Sequence, residues 1–358
     1  VTGKPDTLII LTPGFPKDES DSTCLPLQQA LVKELHKNNP SLRLIILSFQ
    51  YPFEKKQYQW HGITVISAGG KNKGGIQRRF TWRRIKQSLE KIHTTQHIKG
   101  ILSFWCGETA LIGHRFAAKH RLKHFCWICG QDAKAENKLV KKINPSSDEL
   151  VALSDFIRDE FEKNHGVRPA HLIPPGVKPE LFTQAGDTKV IDLLAAGSLI
   201  PLKQFGIFIE LVAAILPRFP GIKAAICGEG SERKKLEKQI ASSGLSNNIL
   251  LTGELAHNDL LKLMQRTRLF IHPSSYEGFG LVNLEALYAG AQVISFVQPM
   301  QKEIPNWHIV KDREEMKDKI TTLLEAAPVA IAGAPDFSIE KTARAFIDLL
   351  EITNPEAN

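Results

Sequence analysis

Residues 274–294 read S-S-Y-E-G-F-G-L-V-N-L-E-A-L-Y-A-G-A-Q-V-I, with Glu277 and Glu285 separated by seven residues. The turn Gly278-Phe279-Gly280 follows the first glutamate, and its glycines let backbone N–H groups come close to a bound molecule. The run Leu281 to Ala289 predicts a helix, with Leu281, Leu284 and Leu287 on its inner side and Gly290 as its stop. The start of such a helix offers unpaired N–H donors and a partial positive charge to a diphosphate. Glu285 is then placed to accept hydrogen bonds from ribose hydroxyls, and Glu277 to face a sugar. A loop entering an ordinary amphipathic helix has the same local pattern. The flanks favour the ligand-binding reading: apolar strands are predicted at Leu269 to Ile271 and Val293 to Phe296. The motif thus sits at the carboxyl end of a parallel strand, where α/β folds bind ligands.

Four further segments keep company with it. They are Ile173-Pro174-Pro175-Gly176-Val177, the stretch Gly197-Ser198-Leu199-Ile200-Pro201-Leu202-Lys203, Cys227-Gly228-Glu229-Gly230, and Leu251-Thr252-Gly253. Taken in order with the Glu-x7-Glu stretch, they resemble the retaining glycosyltransferases of the GT-B fold, the glycosyltransferase family 4 group in particular. The resemblance is densest from about Ala195 to Phe296. It implies an α/β chain of two Rossmann-like domains facing across a cleft, with a C-terminal helix crossing back to the first domain. It also implies a nucleotide-diphosphate sugar as donor substrate, no cofactor and no metal ion.

On this resemblance the donor site comprises Gly197, Ser198, Lys203, Gly228, Gly253, Glu254, Glu277, Gly278, Phe279, Gly280, Leu281 and Glu285, with Gly14 approaching from the first domain. Lys203 and Glu277 are the expected catalytic residues. A fixed cation stabilises the charge that builds on the departing diphosphate, and the loss of one such donor typically costs about 10²–10³ in rate. The chain departs from the pattern in three places. Ser198 stands where an arginine usually accompanies the lysine. Cys129-Gly130-Gln131-Asp132 has cysteine in the place of a histidine. Pro299 to Glu303 lacks a glycine pair but keeps its glutamate. The same fold also serves epimerases, phosphorylases and pockets that bind without turnover, and paired carboxylates also serve glycoside hydrolysis.

Composition narrows the field. The chain has 358 residues, enough for two cores, and its 42% hydrophobic and 23% charged content is ordinary for a globular protein. No run of eighteen apolar residues occurs, and the opening residues from Val1 show no basic-then-apolar leader pattern. An odd count of five cysteines suits a reducing compartment, and a cytoplasmic location is expected. Cys126-x-x-Cys129 lies in an apolar strand-like run with no second cysteine pair, so a buried strand is expected ahead of a redox or metal site.

The net charge of +8 is unevenly spread. Residues 1–182 carry 28 Lys and Arg against 17 Asp and Glu, and the remainder 18 against 21. The excess concentrates in Lys71 to Lys86. That stretch reads as a solvated helix face, or as a docking surface for an anionic membrane or phosphate-bearing acceptor with Phe80 and Trp82 as anchors. Nucleic acid is the remaining option for such a charge run and is not the expected partner; a glycan or lipid-linked acceptor is.

Strands predicted at Thr7–Leu11, Leu42–Phe49, Ile63–Ser67, Ile98–Phe104, His124–Cys129, Glu149–Leu153 and Ala170–Pro174 alternate with helices, which implies parallel βαβ units. The first domain is expected to span residues 1–182, with the linker in the polar stretch Thr183 to Thr188. The second is expected over 189–336, with strand and helix alternating from Val190 onward. A final helix over about 337–354 is expected to return to the first domain.

Overall fold

A computed structural model describes residues 4–182, 189–326 and 336–351. The chain divides into two compact units, Val1–Gly176 with Phe337–Asn358, and Val177–Asp336. The first unit therefore ends at Gly176 rather than at residue 182, and the expected linker stretch lies outside the described residues.

The first unit is built on an eight-stranded sheet: β1 (Asp6–Gly14), β2 (Arg43–Tyr51), β3 (Lys56–Trp60), β4 (Ile63–Ser67), β5 (His97–Phe104), β6 (His124–Ile128), β7 (Leu150–Ala152) and β8 (His171–Leu172). The spatial order is β3-β4-β2-β1-β5-β6-β7-β8. Every pairing is parallel except that of β3 with β4. Leu8 to Leu11 in β1 are fully buried, the continuous apolar run required of a strand covered on both faces. The sequence predicts a turn from Thr12, but β1 runs on to Gly14, which pairs with Tyr51. Strand β3 carries alternating exposed polar residues at the sheet edge and has no apolar run to announce it.

Helices α1 (Pro26–Asn38), α2 (Gly75–Thr95), α3 (Glu108–His120), α4 (Leu139–Ile143) and α5 (Asp155–His165) cover the sheet. Ser154 caps α5 by accepting the Ile157 N–H at 3.0 Å. In α2, Thr81, Ile85, Leu89 and Ile92 are buried at helical spacing. Residues 71–80, by contrast, are all exposed. Trp82 departs from its expected role as a free surface anchor. Its ring packs against the core, and its indole N–H donates to Glu108 Oε2 at 2.6 Å.

The second unit contains β9 (Ile191–Ala196), β10 (Ala224–Cys227), β11 (Ile249–Gly253), β12 (Thr267–His272), β13 (Gln292–Ser295) and β14 (Trp307–Ile309). It also holds α6 (Phe205–Ile215), α7 (Arg233–Ser242), α8 (His257–Gln265), α9 (Leu281–Tyr288) and α10 (Arg313–Glu325). The strands form one parallel sheet in the order β11-β10-β9-β12-β13-β14, the doubly wound arrangement in which strand order reverses between β9 and β12. Phe208, Val212, Leu193, Ile226 and Ile320 lie at the centre of its core, each fully buried.

The last helix, α11 (Ile339–Leu349), belongs to the first unit. Phe346 is fully buried and meets Trp127 edge-on, with ring centroids 5.2 Å apart. Thr342 Oγ1 donates to the Pro174 carbonyl at 2.9 Å. Phe346→Ala should therefore destabilise the first unit by about 3–5 kcal/mol. The check is urea denaturation, in which the midpoint should fall while the slope is unchanged.

Candidate functional site

In doubly wound sheets ligands bind at the carboxyl ends of the strands where strand order reverses, and here the loops leaving β9 and β12 are tied together at that point. The Leu202 carbonyl accepts from the Ser275 N–H at 3.1 Å, Ser274 Oγ at 3.2 Å and Ser275 Oγ at 3.3 Å. The loop after β9 closes with a single 3-10 turn, Pro201–Lys203. This brings the Lys203 ammonium onto Glu277 Oε2 across 74 residues of sequence. The two residues chosen from sequence as catalytic thus form one ion pair.

His272, the last residue of β12, completes the arrangement. Its ring is 1% exposed, and Nε2 lies 3.1 Å from the same oxygen, Glu277 Oε2. An ionised carboxylate only accepts, so Nε2 carries the proton. Nδ1 of this ring is buried without a hydrogen-bond partner among the described residues. Burial pushes the Glu277 carboxyl up, but the His272 hydrogen bond and the Lys203 charge outweigh it and bring the pKa down to about 2. Burial, aided by the Lys203 charge, lowers the pKa of His272 and keeps the imidazole neutral near pH 7. Glu277 is therefore a fixed anion with a fixed rotamer.

The turn after Glu277 behaves as the sequence implies. Gly280 caps α9 with φ +83°, and a Cβ there would lie 2.5 Å from Asn283 Nδ2. Gly278 and Phe279 are buried, and the Phe279 ring meets Trp307 edge-on at 5.9 Å. Helix α9 ends one residue earlier than predicted. The Gly290 N–H then donates to Leu287 and the Ala291 N–H to Ala286, a Schellman stop. Leu284 and Leu287 are buried, whereas Leu281 is half-buried at the helix start.

Glu285 lies within α9 and is 8% exposed. His257, at the start of α8, places Nε2 2.8 Å from Glu285 Oε1. That hydrogen bond raises the His257 pKa against the opposing effect of burial. Neither histidine enters the site on sequence reasoning. His272 had a signal, as the polar end of an apolar strand five residues before Glu277. His257 had none, since 28 residues separate it from its partner.

The remaining glycines are placed at strand ends for a structural reason. A Cβ on Gly228, whose φ is +141°, would stand 2.0 Å from the Gly197 carbonyl oxygen. The Gly228 N–H donates to the Gly253 carbonyl at 2.9 Å, so the loops after β9, β10 and β11 pack backbone on backbone. Ser198 and Glu254 are exposed on these loops. In the first unit, Gly14 ends β1 next to β5, where that sheet also reverses its order. A Cβ there would meet Tyr51 at an ordinary 3.5 Å, so local packing does not demand glycine. Asp132 is buried and accepts the N–H groups of Cys106 at 2.7 Å, Gly130 at 2.7 Å and Cys129 at 3.1 Å. Cys126 is buried in β6, and it and Cys129 are free thiols.

The Glu277 network makes an acid-range prediction. A carboxyl depressed from 4.5 to about 2 contributes about 3 kcal/mol. This stability is fully present above pH 4.5 and is lost as pH falls towards 2. Glu277→Gln should be less stable than the parent at pH 6, and the gap should shrink by pH 3, as measured by urea denaturation at both values.

Comparison with known proteins matches residues 178–330 to the family described as "Glycosyl transferases group 1". The 2-deoxystreptamine N-acetyl-D-glucosaminyltransferase of Niallia circulans is 28% identical over 149 residues, covering 42% of this chain and 36% of that protein. The phosphatidylinositol N-acetylglucosaminyltransferase gpi3 subunit of Schizosaccharomyces pombe is 24% identical over 250 residues, covering 68% of this chain and 54% of that protein. The chain thus spans about a third to a half of the length of these two relatives. The crystal structure of Anabaena HepE in complex with UDP and glucose superposes with a TM-score of 0.70 at 16% identity, covering 96% of this chain and 99% of that one. The second unit thus matches the glycosyl transferases group 1 model over nearly its whole length, and the chain has the α/β fold of two Rossmann-like domains seen in GT-B glycosyltransferases.

Proposed function

We propose that this chain transfers a sugar from a nucleotide-diphosphate donor to a glycan or lipid-linked acceptor, with retention at the anomeric carbon and without a divalent metal. The observation that carries the reading is the Lys203–Glu277 ion pair at the strand-order reversal of the second unit. An ammonium has three donors, so Lys203 can hold Glu277 and still meet the charge that develops on a leaving diphosphate. The first N–H groups of α9 face the same charge. Glu277, fixed by His272, accepts from sugar hydroxyls. His257 takes Oε1 of Glu285, which leaves Oε2 to accept from a ribose hydroxyl.

The names of the relatives point to the first donor to test. Two are N-acetylglucosaminyltransferases, and HepE was solved with UDP. UDP-N-acetylglucosamine is accordingly the donor we favour. Lys203→Ala should lower transfer or slow donor hydrolysis by about 10²-fold. Glu285→Ala should weaken UDP binding by about 1.5–3 kcal/mol, read by calorimetry. Nucleotide binding with no release of UDP by the parent, or full activity in Lys203→Ala, overturns the transferase reading.

The acceptor side rests on α2 and the turn that leads into it. Lys71, Lys73, Arg78, Arg79, Arg83, Arg84 and Lys86 occur with no acidic residue before Glu90. Ile76 and Phe80, one turn apart among them, are 69% and 54% exposed. Among the described residues no helix is long and apolar enough to cross a membrane. An amphipathic basic helix of this kind suits the surface of an anionic bilayer, where each basic residue contributes about 1 kcal/mol. The free cysteines suit a reducing compartment, so we assign the docking to the cytoplasmic face. Vesicles containing phosphatidylserine should sediment the parent at low salt. The fourfold variant Arg78→Gln, Arg79→Gln, Arg83→Gln, Arg84→Gln should stay in solution with its donor hydrolysis intact. A parent that ignores these vesicles leaves a soluble glycan as the acceptor.

A further inference from the structure

Away from both strand-order reversals, three potential metal ligands converge in the first unit: His114 on α3, His124 at the start of β6 and Glu149 immediately before β7. His114 Nδ1 lies 2.9 Å and His124 Nδ1 3.3 Å from one and the same oxygen, Glu149 Oε1. These separations are close to the edge of a tetrahedron around an ion with bonds of about 2.0–2.1 Å, the distance of zinc from imidazole nitrogen or carboxylate oxygen. The three residues lie 10 and 25 positions apart along the chain and have no spacing that sequence reading would recognise.

Two of the three groups are also held from behind. Glu149 Oε2 accepts the Ser146 N–H at 3.0 Å, which fixes the carboxylate plane. His124 Nε2 meets Ser103 Oγ at 2.9 Å. The ring of His124 is confined as well, since a Cβ on Gly113 would lie 2.8 Å from its Nε2. Oriented second partners of this kind are what metal-bound histidines and carboxylates carry. His124 is buried, whereas His114 is partly exposed and leaves a route from solvent.

The geometry points to a zinc ion held by His114 Nδ1, His124 Nδ1 and Glu149 Oε1, with water in the fourth position, binding α3 to the amino ends of β6 and β7. Two imidazoles and a carboxylate favour zinc over magnesium or calcium, which take oxygen ligands. The proton balance closes within the site. Without metal, each Nδ1–H donates to Glu149. On binding, each Nδ1 lone pair goes to the ion and each ring proton sits on Nε2. A serine hydroxyl serves either state of His124, first donating to Nε2 and then accepting from it.

The test uses the full chain, stripped with a chelator and dialysed against zinc chloride at pH 7.5. One equivalent should remain bound after gel filtration, and the melting temperature should rise with zinc. His114→Ala should bind no such equivalent. Ser103→Ala keeps all three ligands and should still lose about tenfold or more in affinity. His61→Ala removes an imidazole in the turn between β3 and β4, at the far edge of the sheet from β6 and β7, and should bind as the parent does. Cobalt(II) added to the stripped parent should give the intense visible bands of a tetrahedral site. A parent that binds no zinc, a His114→Ala variant that binds as the parent does, or a pale octahedral cobalt spectrum overturns the proposal.

Discussion

A carboxylate that two loops must share governs the second unit. Glu277 is anchored by His272 from the end of its own strand and by Lys203 from the loop after β9. Removing Lys203 would leave the carboxylate without its counter-ion in a largely enclosed place, where an unpaired ion is expensive, and removing His272 would take away the hydrogen bond that orients it. The Ser274 and Ser275 bonds to the Leu202 carbonyl, the glycine contacts at the strand ends and the cap at Gly280 all serve to bring these loops to one place. The loops are therefore positioned by the fold itself, and on the transferase reading proposed above that preorganised charge is what would favour turnover over mere binding.

Much of this was legible from the order of residues because it depends on local rules. A short apolar run such as Leu8 to Leu11 suits a strand covered on both sides, and glycine after Tyr288-Ala289 suits a helix stop. Lys203 and the Glu277 turn were marked out differently, by their place in a family's pattern of motifs. The features that sequence reading missed are those made by the third dimension. His257 reaches Glu285 from another helix, and His114, His124 and Glu149 meet only because α3 lies over β6. Strand β3 is held by pairing with β4, and its own sequence gives no strand signal. Trp82 stands among arginines in sequence, yet helical geometry turns it inward to Glu108 while Ile76 and Phe80 stay outside.

The two units divide their labour by charge and by packing. The first carries the basic excess and the exposed first turns of α2. The second holds an internally neutralised cluster in which cation and anion are matched one to one. Salt screens exposed charges within about a Debye length but reaches buried pairs far less. The surface properties of the first unit and the site of the second should hence respond differently to ionic strength.

The return of α11 to the first unit makes that unit discontinuous in the chain, with the second unit inserted between its two parts. Ribosomal synthesis delivers these parts in order, at about 5–20 residues per second. The contiguous second unit can complete itself while the first still lacks Phe346 against Trp127. During that interval the face that α11 later covers, including part of α1, stays open to solvent. The arrangement makes the docking of α11 the step that completes the first unit, after the second unit has already been synthesised.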